Sequence, residues 1–386
     1  MRILICGDFT TENRGLEAVE SKKALSPSVL TIIDQYNAAI VNLEAPIASE
    51  DAKGIAKLGP RIKTQTKSAS YLKSCGFNIV TLANNHFYDY GEDGVKETME
   101  TMLQNNIMTV GGGRNEEEKS RPLYLNDADG DICVLNYCES EFSVNHKMGS
   151  NCLDPVRVFY DIQKAVSKKS FVVVIVHGGH EGYNLPSPRM KRLYRFFVDC
   201  GANMIINHHQ HCYSGYESYH GGLIFYGLGN FFFDSIFKTV GKGWTEGYMV
   251  GIDIKRGALM DYKIYPYYQC KDVDIETRMM DGKELSSFFE NIDKLNSVIA
   301  DDKKLLDAFN HFCQNRERIN LVCFTPYSSR FLQFLYRRNL LPSFMSKKKK
   351  MQILNKMRCE SHRDVCIKLL SDKTSERNVV NGNKEK

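Results

Sequence analysis

The sequence predicts an α/β fold with an added helical region towards its C-terminal end. Three observations carry this reading. Seven short β-rich runs recur between residues 2 and 227, and helix-like segments alternate with them. From about residue 282 the apolar spacing becomes helical throughout.

The runs are RILIC (2–6), AAIVNL (38–43), NIVTLA (78–83), DICVLN (131–136), FVVVIV (171–176), NMIIN (203–207) and GLIFYG (222–227). Several are apolar almost throughout, as strands covered on both faces are. Between them SASYLKSCG (68–76) reads as a helix stopped by Gly76. The segment 91–106 spaces apolar residues at Val95, Met99, Met102 and Leu103. SPRMKRLYRFFVDCG (187–201) opens on Ser-Pro and stops at Gly201. Residues 248–268 read as a hairpin turning at Lys255, Arg256 and Gly257. KELSSFFENIDKLNSVIAD, KKLLDAFNHFCQ, SRFLQFLYRRNLL and MQILNKMRCESHRDVCIKLL then read as helices. The predicted organisation is an α/β domain over 1–270, a basic helical region over 271–372 and a polar, frayed tail over 373–386.

Composition narrows the class. The chain has 386 residues, 42% of them hydrophobic, and a net charge of +5, which excludes a disordered protein. The twelve cysteines are irregularly spaced without a CxxC. Cys6 and Cys133 lie in apolar runs, where a thiol packs as a small hydrophobe. The opening MRILICGDF is too short in apolar residues for a signal-peptide core, and no run approaches the roughly 20 residues that span a bilayer. The expectation is a reduced, cytoplasmic protein. Charge is concentrated late: from Arg316 to Lys368 basic residues outnumber acidic ones, with KKKK at 347–350 between apolar neighbours. That stretch reads either as a solvated helix face or as a patch for anionic lipid or an acidic polymer, at the inner face of the membrane. There is no stacking platform or recognition motif for nucleic acid, and none is expected as a partner.

The strongest signal lies at the carboxyl ends of the strands, where α/β sheets bind ligands. RILIC leads to Asp8. AAIVNL carries Asn42 and leads to Glu44. NIVTLA leads to Asn84, Asn85 and His86. FVVVIV leads to His177, His180 and Glu181. NMII leads to Asn207, His208, His209 and His211, and GLIFYG leads to Asn230 and Asp234. Carboxylates, amides and imidazoles without nearby thiolates suit Mn, Fe or Zn rather than a structural zinc site. Two such ions about 3.5–4 Å apart activate water and stabilise a phosphoryl oxygen. In an extended segment residues two apart share a side, so His209 and His211 reach one centre while His208 faces away. The other readings are loop histidines bonded to carbonyls, and turn or helix-capping roles for Asp8 and Glu44. Asn84 reads as structural, Glu181 as orienting an imidazole or as solvated, and Asn230 as bonding backbone or touching substrate. His146, His220, His311 and His362 have no motif around them and read as surface residues.

Several of these blocks together resemble a known family. Gly7-Asp8, NLE at 42–44, TLANNHFYDYG at 81–91, HGGHE at 177–181, NHHQH at 207–211 and YGLGNFFFD at 226–234 resemble the CapA family. Those are bacterial capsule and poly-gamma-glutamate biosynthesis proteins, similar in fold to calcineurin-like metallophosphoesterases. The resemblance covers residues 1–265 and implies a four-layer αββα sandwich. It implies Asp8, Glu44, Asn85, His177, His209 and His211 as ligands of one or two divalent ions (Mn, Fe or Zn), with Glu44 as the bridge. His86 and Glu181 are assigned to catalysis, and Asn42, Asp89 and Asn230 to the substrate side.

The function this implies is capsule or extracellular-polymer biosynthesis by a metal-dependent, phosphoesterase-like hydrolase or transferase using a metal-bound hydroxide. The alternative is a weakly catalytic or non-catalytic accessory protein of a polymer-assembly complex. The implied partner is an anionic polymer or its precursor, with membrane or assembly-complex contact through 316–368. Three departures are from the wider phosphoesterase pattern: Phe9 and Thr10 follow Asp8 where an Asp-x-His is usual, Glu44 replaces Asp, and His208 replaces Gly; a fourth is Gly178, where CapA-like members often have an aromatic.

Overall fold

The structure, a computed structural model, describes residues 1–126, 130–141, 143–144, 146–234, 243–271 and 275–381, with backbone alone beyond 370. Its strands are β1 (Arg2–Phe9), β2 (Ala38–Leu43), β3 (Ile79–Thr81), β4 (Met108–Val110), β5 (Gly112–Gly113), β6 (Leu123–Leu125), β7 (Ile132–Cys138), β8 (Gly149–Ser150), β9 (Phe171–His177), β10 (Met204–His208), β11 (Tyr216–Tyr219), β12 (Gly222–Phe225), β13 (Asn230–Phe232), β14 (Glu246–Lys255), β15 (Ala258–Gln269) and β16 (Thr277–Met279). All seven predicted runs form strands. The short strands β4, β5, β6, β8, β11, β13 and β16 were not legible, being two to four residues long.

Two sheets form from them. The first has the order β16-β15-β14-β1-β2-β3-β4, and the second β11-β12-β10-β9-β7-β6. In the first, β1 to β4 run parallel, connected by the helices Pro27–Ile33, Lys67–Ser74 and Gly91–Gln104. In the second, β7, β9, β10 and β12 run parallel, connected by Pro155–Ser167 and Pro188–Asp199. Both of these last helices begin on proline behind a capping side chain, Asp154 and Ser187, so the turn from strand to helix is set locally.

Strand alternation makes the layers. In β1, Ile3 and Ile5 join Ile40, Val250 and Ile252 of their own sheet against Val173, Ile175, Met204 and Ile206 of the other. Leu4 and Cys6 point to the opposite face, onto Val29, Ile33, Leu72, Val95 and Met102 of the helices. The helices Pro155–Ser167 and Pro188–Asp199 pack on β9 and β10 of the second sheet. The architecture is therefore helix, sheet, sheet, helix, with its core between the sheets. A fully buried Val, Leu or Ile contributes about 1.5–3 kcal/mol, so this interior is the main source of stability. Of the residues expected on the apolar face of the helix Gly91–Gln104, Val95 and Met102 are buried, whereas Leu103 is 77% exposed.

The hairpin forms as expected. Arg256 and Gly257 both have positive φ, the geometry of a two-residue turn between β14 and β15. Backbone contacts divide the chain into two units, Met1–Phe309 and Asn310–Lys386. The first unit runs past residue 270 because β16 pairs with β15 and because Phe288 and Ile292 of the helix Gly282–Ala300 belong to the core between the sheets. The second unit contains the helices Glu317–Leu321, Arg330–Arg337, Lys347–Arg358 and Glu360–Asn381. Its small interior holds Val322 and Tyr336, with the Tyr336 ring 5.5 Å from Tyr327 and under the Arg318 guanidinium at 4.7 Å. The predicted tail at 373–386 falls partly outside the described residues; inside them the backbone is helical to Asn381. Among the described residues no helix is long and apolar enough to cross a membrane, and all twelve cysteines are free thiols.

One close approach sets the level of the chemistry. β14 pairs with β1 at Arg2–Ile5, and β13 pairs with it further on, at Asp8 and Phe9. A Cβ on Gly7 would lie 1.9 Å from the Gly229 carbonyl oxygen, so glycine is required there. Gly7→Ala is expected to lower the urea midpoint, since overpacking of this kind costs about 1–3 kcal/mol. An unchanged midpoint would show that β13 can move away freely.

Candidate metal centre

Strand register brings the polar residues to one level. Asp8 lies opposite Asn42 on β2 and Asn230 on β13, and His177 lies opposite His208 on β10. Glu44, Asn85 and His86 follow one or a few residues beyond their strands. All of Asp8, Asn42, Glu44, Asn85, His86, His177, His209, His211 and Asn230 are buried.

They assemble around Glu44. Glu44, His177 and His209 each offer a ligand atom within 4.8 Å of the others, and so do Asp8, Glu44 and His211. Glu44 Oε1 stands 3.6 Å from His177 Nε2 and 3.6 Å from His211 Nε2. The Asn85 amide oxygen is 3.0 Å from His177 Nε2, and His209 Nδ1 is 3.1 Å from the same atom. Among the described residues, neither carboxylate oxygen of Glu44 has a hydrogen-bond partner. A buried carboxylate without hydrogen bonds is costly, and a cation shared between the two triads would resolve the cost. The residues thus fit one or two divalent ions with oxygen and imidazole ligands.

Electrostatics point the same way. Burial, reinforced by the charge of Asp8, raises the Glu44 carboxyl well above its ordinary range. Burial raises Asp8 too, against the opposing influence of His211. Burial pushes His177 well below the usual imidazole value and His211 below it, keeping both neutral, which is the ligand form. His208 is pushed down to about 3 by burial and belongs to neither triad.

The extended-strand argument for His209 and His211 does not hold. His209 has φ +89° and His211 has φ +56°, so the segment turns instead of alternating. The two imidazoles enter different triads that share Glu44, with ring centroids 6.1 Å apart.

The residues expected on the substrate side are buried and engaged. The Asn42 amide donates to Asp8 Oδ1 at 2.7 Å and lies 3.3 Å from His177 Nδ1. Asn230 Nδ2 faces the His211 and Trp244 carbonyls, which turns its oxygen to His211 Nδ1 at 2.8 Å. That oxygen holds the proton on Nδ1 and leaves Nε2 free to face Glu44. Asp89 Oδ2 lies 2.7 Å from His86 Nδ1 and accepts from Ile62 N–H at 2.9 Å. These three orient the site's imidazoles and Asp8. Asn84 is structural: it donates to the Leu43 carbonyl at 2.8 Å and accepts from His86 N–H at 3.1 Å. Glu181 is exposed on the loop after β9, and its charge acts on Glu44 and His211.

The family model described as "Bacterial capsule synthesis protein PGA_cap" matches residues 2–235. The chain belongs to this family. It is 32% identical over 233 residues to capsule biosynthesis protein CapA of Bacillus anthracis, covering 58% of this chain and 53% of that one. It is 29% identical over 233 residues to PGA biosynthesis protein CapA of Bacillus subtilis strain 168, covering 58% and 60%. The match thus spans little more than half of each relative. Among solved structures, a hypothetical protein from Thermus thermophilus aligns with 69% of this chain and 99% of its own, at 16% identity and TM-score 0.45. A "novel phosphatase" of Mycoplasma pneumoniae aligns with 76% and 98%, at 13% identity and TM-score 0.43.

Two of the departures in the sequence of this PGA_cap chain, at Phe9-Thr10 and at Gly178, have a structural account. Phe9 stacks on Phe232 at 5.6 Å, and Thr10 Oγ1 meets Thr64 Oγ1 at 3.4 Å, so among the described residues this block supplies Asp8 alone. At Gly178 a Cβ would lie 2.6 Å from Glu139 Cγ. Glu139 Oε2 accepts from Gly179 N–H at 3.0 Å, and Oε1 accepts from the Arg189 guanidinium, bracing the loop behind His177. Sequence reasoning missed Glu139, although it follows a predicted strand as the other site residues do.

It also missed the aromatic wall of His211, formed by Trp244 at 4.7 Å and Phe233 at 5.5 Å. Lys57 was missed as well. Its side chain is 2% exposed, its ammonium donates to Asp89 Oδ1, and it lies 3.2 Å from His86 Nδ1. A single lysine in a long loop carries no signal in sequence.

Removing one member of a buried ion pair costs about 3–5 kcal/mol. Lys57→Met is expected towards the lower end, because His86 and Ile62 N–H still hold Asp89. Thermal unfolding of the variant beside wild type measures this.

Proposed function

We propose that this PGA_cap-family chain is a metal-dependent hydrolase or transferase of envelope-polymer biosynthesis, acting on an anionic polymer or its precursor. The observation that carries the reading is the unsatisfied, fully buried Glu44 carboxylate common to two ligand triads. Asp8, Glu44 and His211 would hold one ion, and Glu44, His177 and His209 with Asn85 the other. Bound there, divalent ions supply Lewis acidity towards a phosphoryl or carbonyl oxygen and acidify coordinated water.

The chain's own groups do the rest. Asp89 holds His86 by Nδ1, so Nε2 is the nitrogen that can give a proton to a leaving group. Lys57 places positive charge beside that dyad, suited to an anionic substrate. Glu181 stands exposed near Glu44 and His211, where it can take up a proton. Asn42 and Asn230 hold Asp8 and two of the imidazoles in place. The accessory-protein reading draws on one observation, that Phe9 leaves Asp8 as the single contribution of the first block.

Elemental analysis separates the two. Wild type is expected to carry about two equivalents of Mn, Fe or Zn. His209→Ala and His211→Ala should each lose about one equivalent, and Glu44→Ala both, with folding retained by circular dichroism. Wild type without metal after reconstitution would leave the accessory reading standing.

A further inference from the structure

We infer that the second unit carries a docking surface for an anionic lipid bilayer. The helix Arg330–Arg337 buries one side and exposes another apolar one. Tyr336 is 2% exposed, whereas Phe331 and Phe334 are 67% and 47% exposed. Phe331, Phe334 and Arg338 follow at steps of three and four, which sets them on one face. The Arg338 guanidinium lies 4.2 Å over the Phe334 ring, so cation and aromatic form one feature. Phe344, just beyond this helix, is 62% exposed.

The helix Lys347–Arg358 repeats the pattern. Lys347, Met351, Leu354 and Arg358 share a face by spacing, and the helix has no buried residue. Between Arg316 and Lys368 there are thirteen Lys and Arg against three Asp and Glu.

The combination selects the partner. A merely solvated basic face accounts for the lysines and leaves the exposed phenylalanines without purpose. A soluble polyanion pairs with the cations and gains nothing from the rings. An apolar protein groove takes the rings and is opposed by the excess charge. A bilayer with anionic headgroups takes both: Phe and Met enter the zone between headgroups and chains, and Arg and Lys meet the phosphates. Long basic side chains also keep their charge at the surface while their stems lie in the apolar layer. This inference stands apart from the metal centre and does not rest on it.

The test is co-sedimentation of the purified full chain with vesicles of phosphatidylcholine alone and of phosphatidylcholine mixed with phosphatidylglycerol. Binding is expected to be about tenfold or more stronger to the mixed vesicles. It should fall as salt rises from about 0.1 M to about 1 M, where the Debye length shrinks from about 10 Å to about 3 Å. Phe331→Ser with Phe334→Ser and Phe344→Ser should reduce binding by about tenfold or more. Lys347→Glu with Lys348→Glu should do the same, and both sets lie at exposed positions outside the small interior.

Three outcomes would overturn the inference. One is equal or absent binding to the two vesicle types. Another is capture of soluble polyglutamate, insensitive to the phenylalanine changes, without vesicle binding. The third is a self-associated wild type that the phenylalanine changes make monomeric while vesicles remain unbound, which would assign the face to a second copy of the chain.

Discussion

Glu44 carries a carboxylate into a fully buried position where no hydrogen bond from the described residues reaches either oxygen. Everything else in the site is arranged around that deficit. Two imidazole nitrogens, from His177 and His211, approach one of its oxygens at equal distance. Burial and the neighbouring Asp8 disfavour the charged form, so the carboxylate is at ease only when positive charge shares the cavity. A position of this kind has no structural benefit to the fold. It fits a place that receives a cation.

The fold meets this demand by stacking two mixed sheets so that the carboxyl ends of their parallel strands open at the same level. β1, β2 and β3 bring Asp8, Glu44 and Asn85 from one sheet, and β9 and β10 bring His177 and His209 from the other. Gly7 and Gly229 then let β13 close on β1, which delivers Asn230 to His211. Around the ligands lies a ring of amides and carboxylates whose polar atoms are already committed. Asn42 ties Asp8 to His177 across the two sheets, and Asp89 fixes His86. Such bonds fix imidazole orientation and tautomer before any ligand arrives.

The second unit follows a different logic. Its interior is little more than Val322 and Tyr336, and its helices leave large apolar side chains in solvent among basic ones. A short basic segment with so small a core is poorly suited to stability by burial and well suited to a surface that completes it. The first unit positions chemistry in a closed interior; the second offers an exposed amphipathic face.

By itself the sequence determined the α/β class and every long strand, because apolar runs of five or six residues, the hairpin turn at 255–257 and helix caps such as Ser187-Pro188 are local signals. It also marked the residues that converge, because polar groups at strand ends are conspicuous after apolar runs. It did not distinguish ligands from the residues that orient them. Asn42 reads as a substrate-side residue and Asn230 as bonding backbone or touching substrate; the structure shows both amides hydrogen-bonded within the site. Nor did it reveal that His209 and His211 part company, since that depends on positive φ in the turn rather than on residue spacing. Lys57 reaches the site from a loop whose path is set by packing across the chain. The resemblance implied Glu44 as the shared carboxylate, but only the tertiary structure decided which histidine joins it in each triad, because only the stacking of the two sheets fixes which side chains lie within ligand distance of one another.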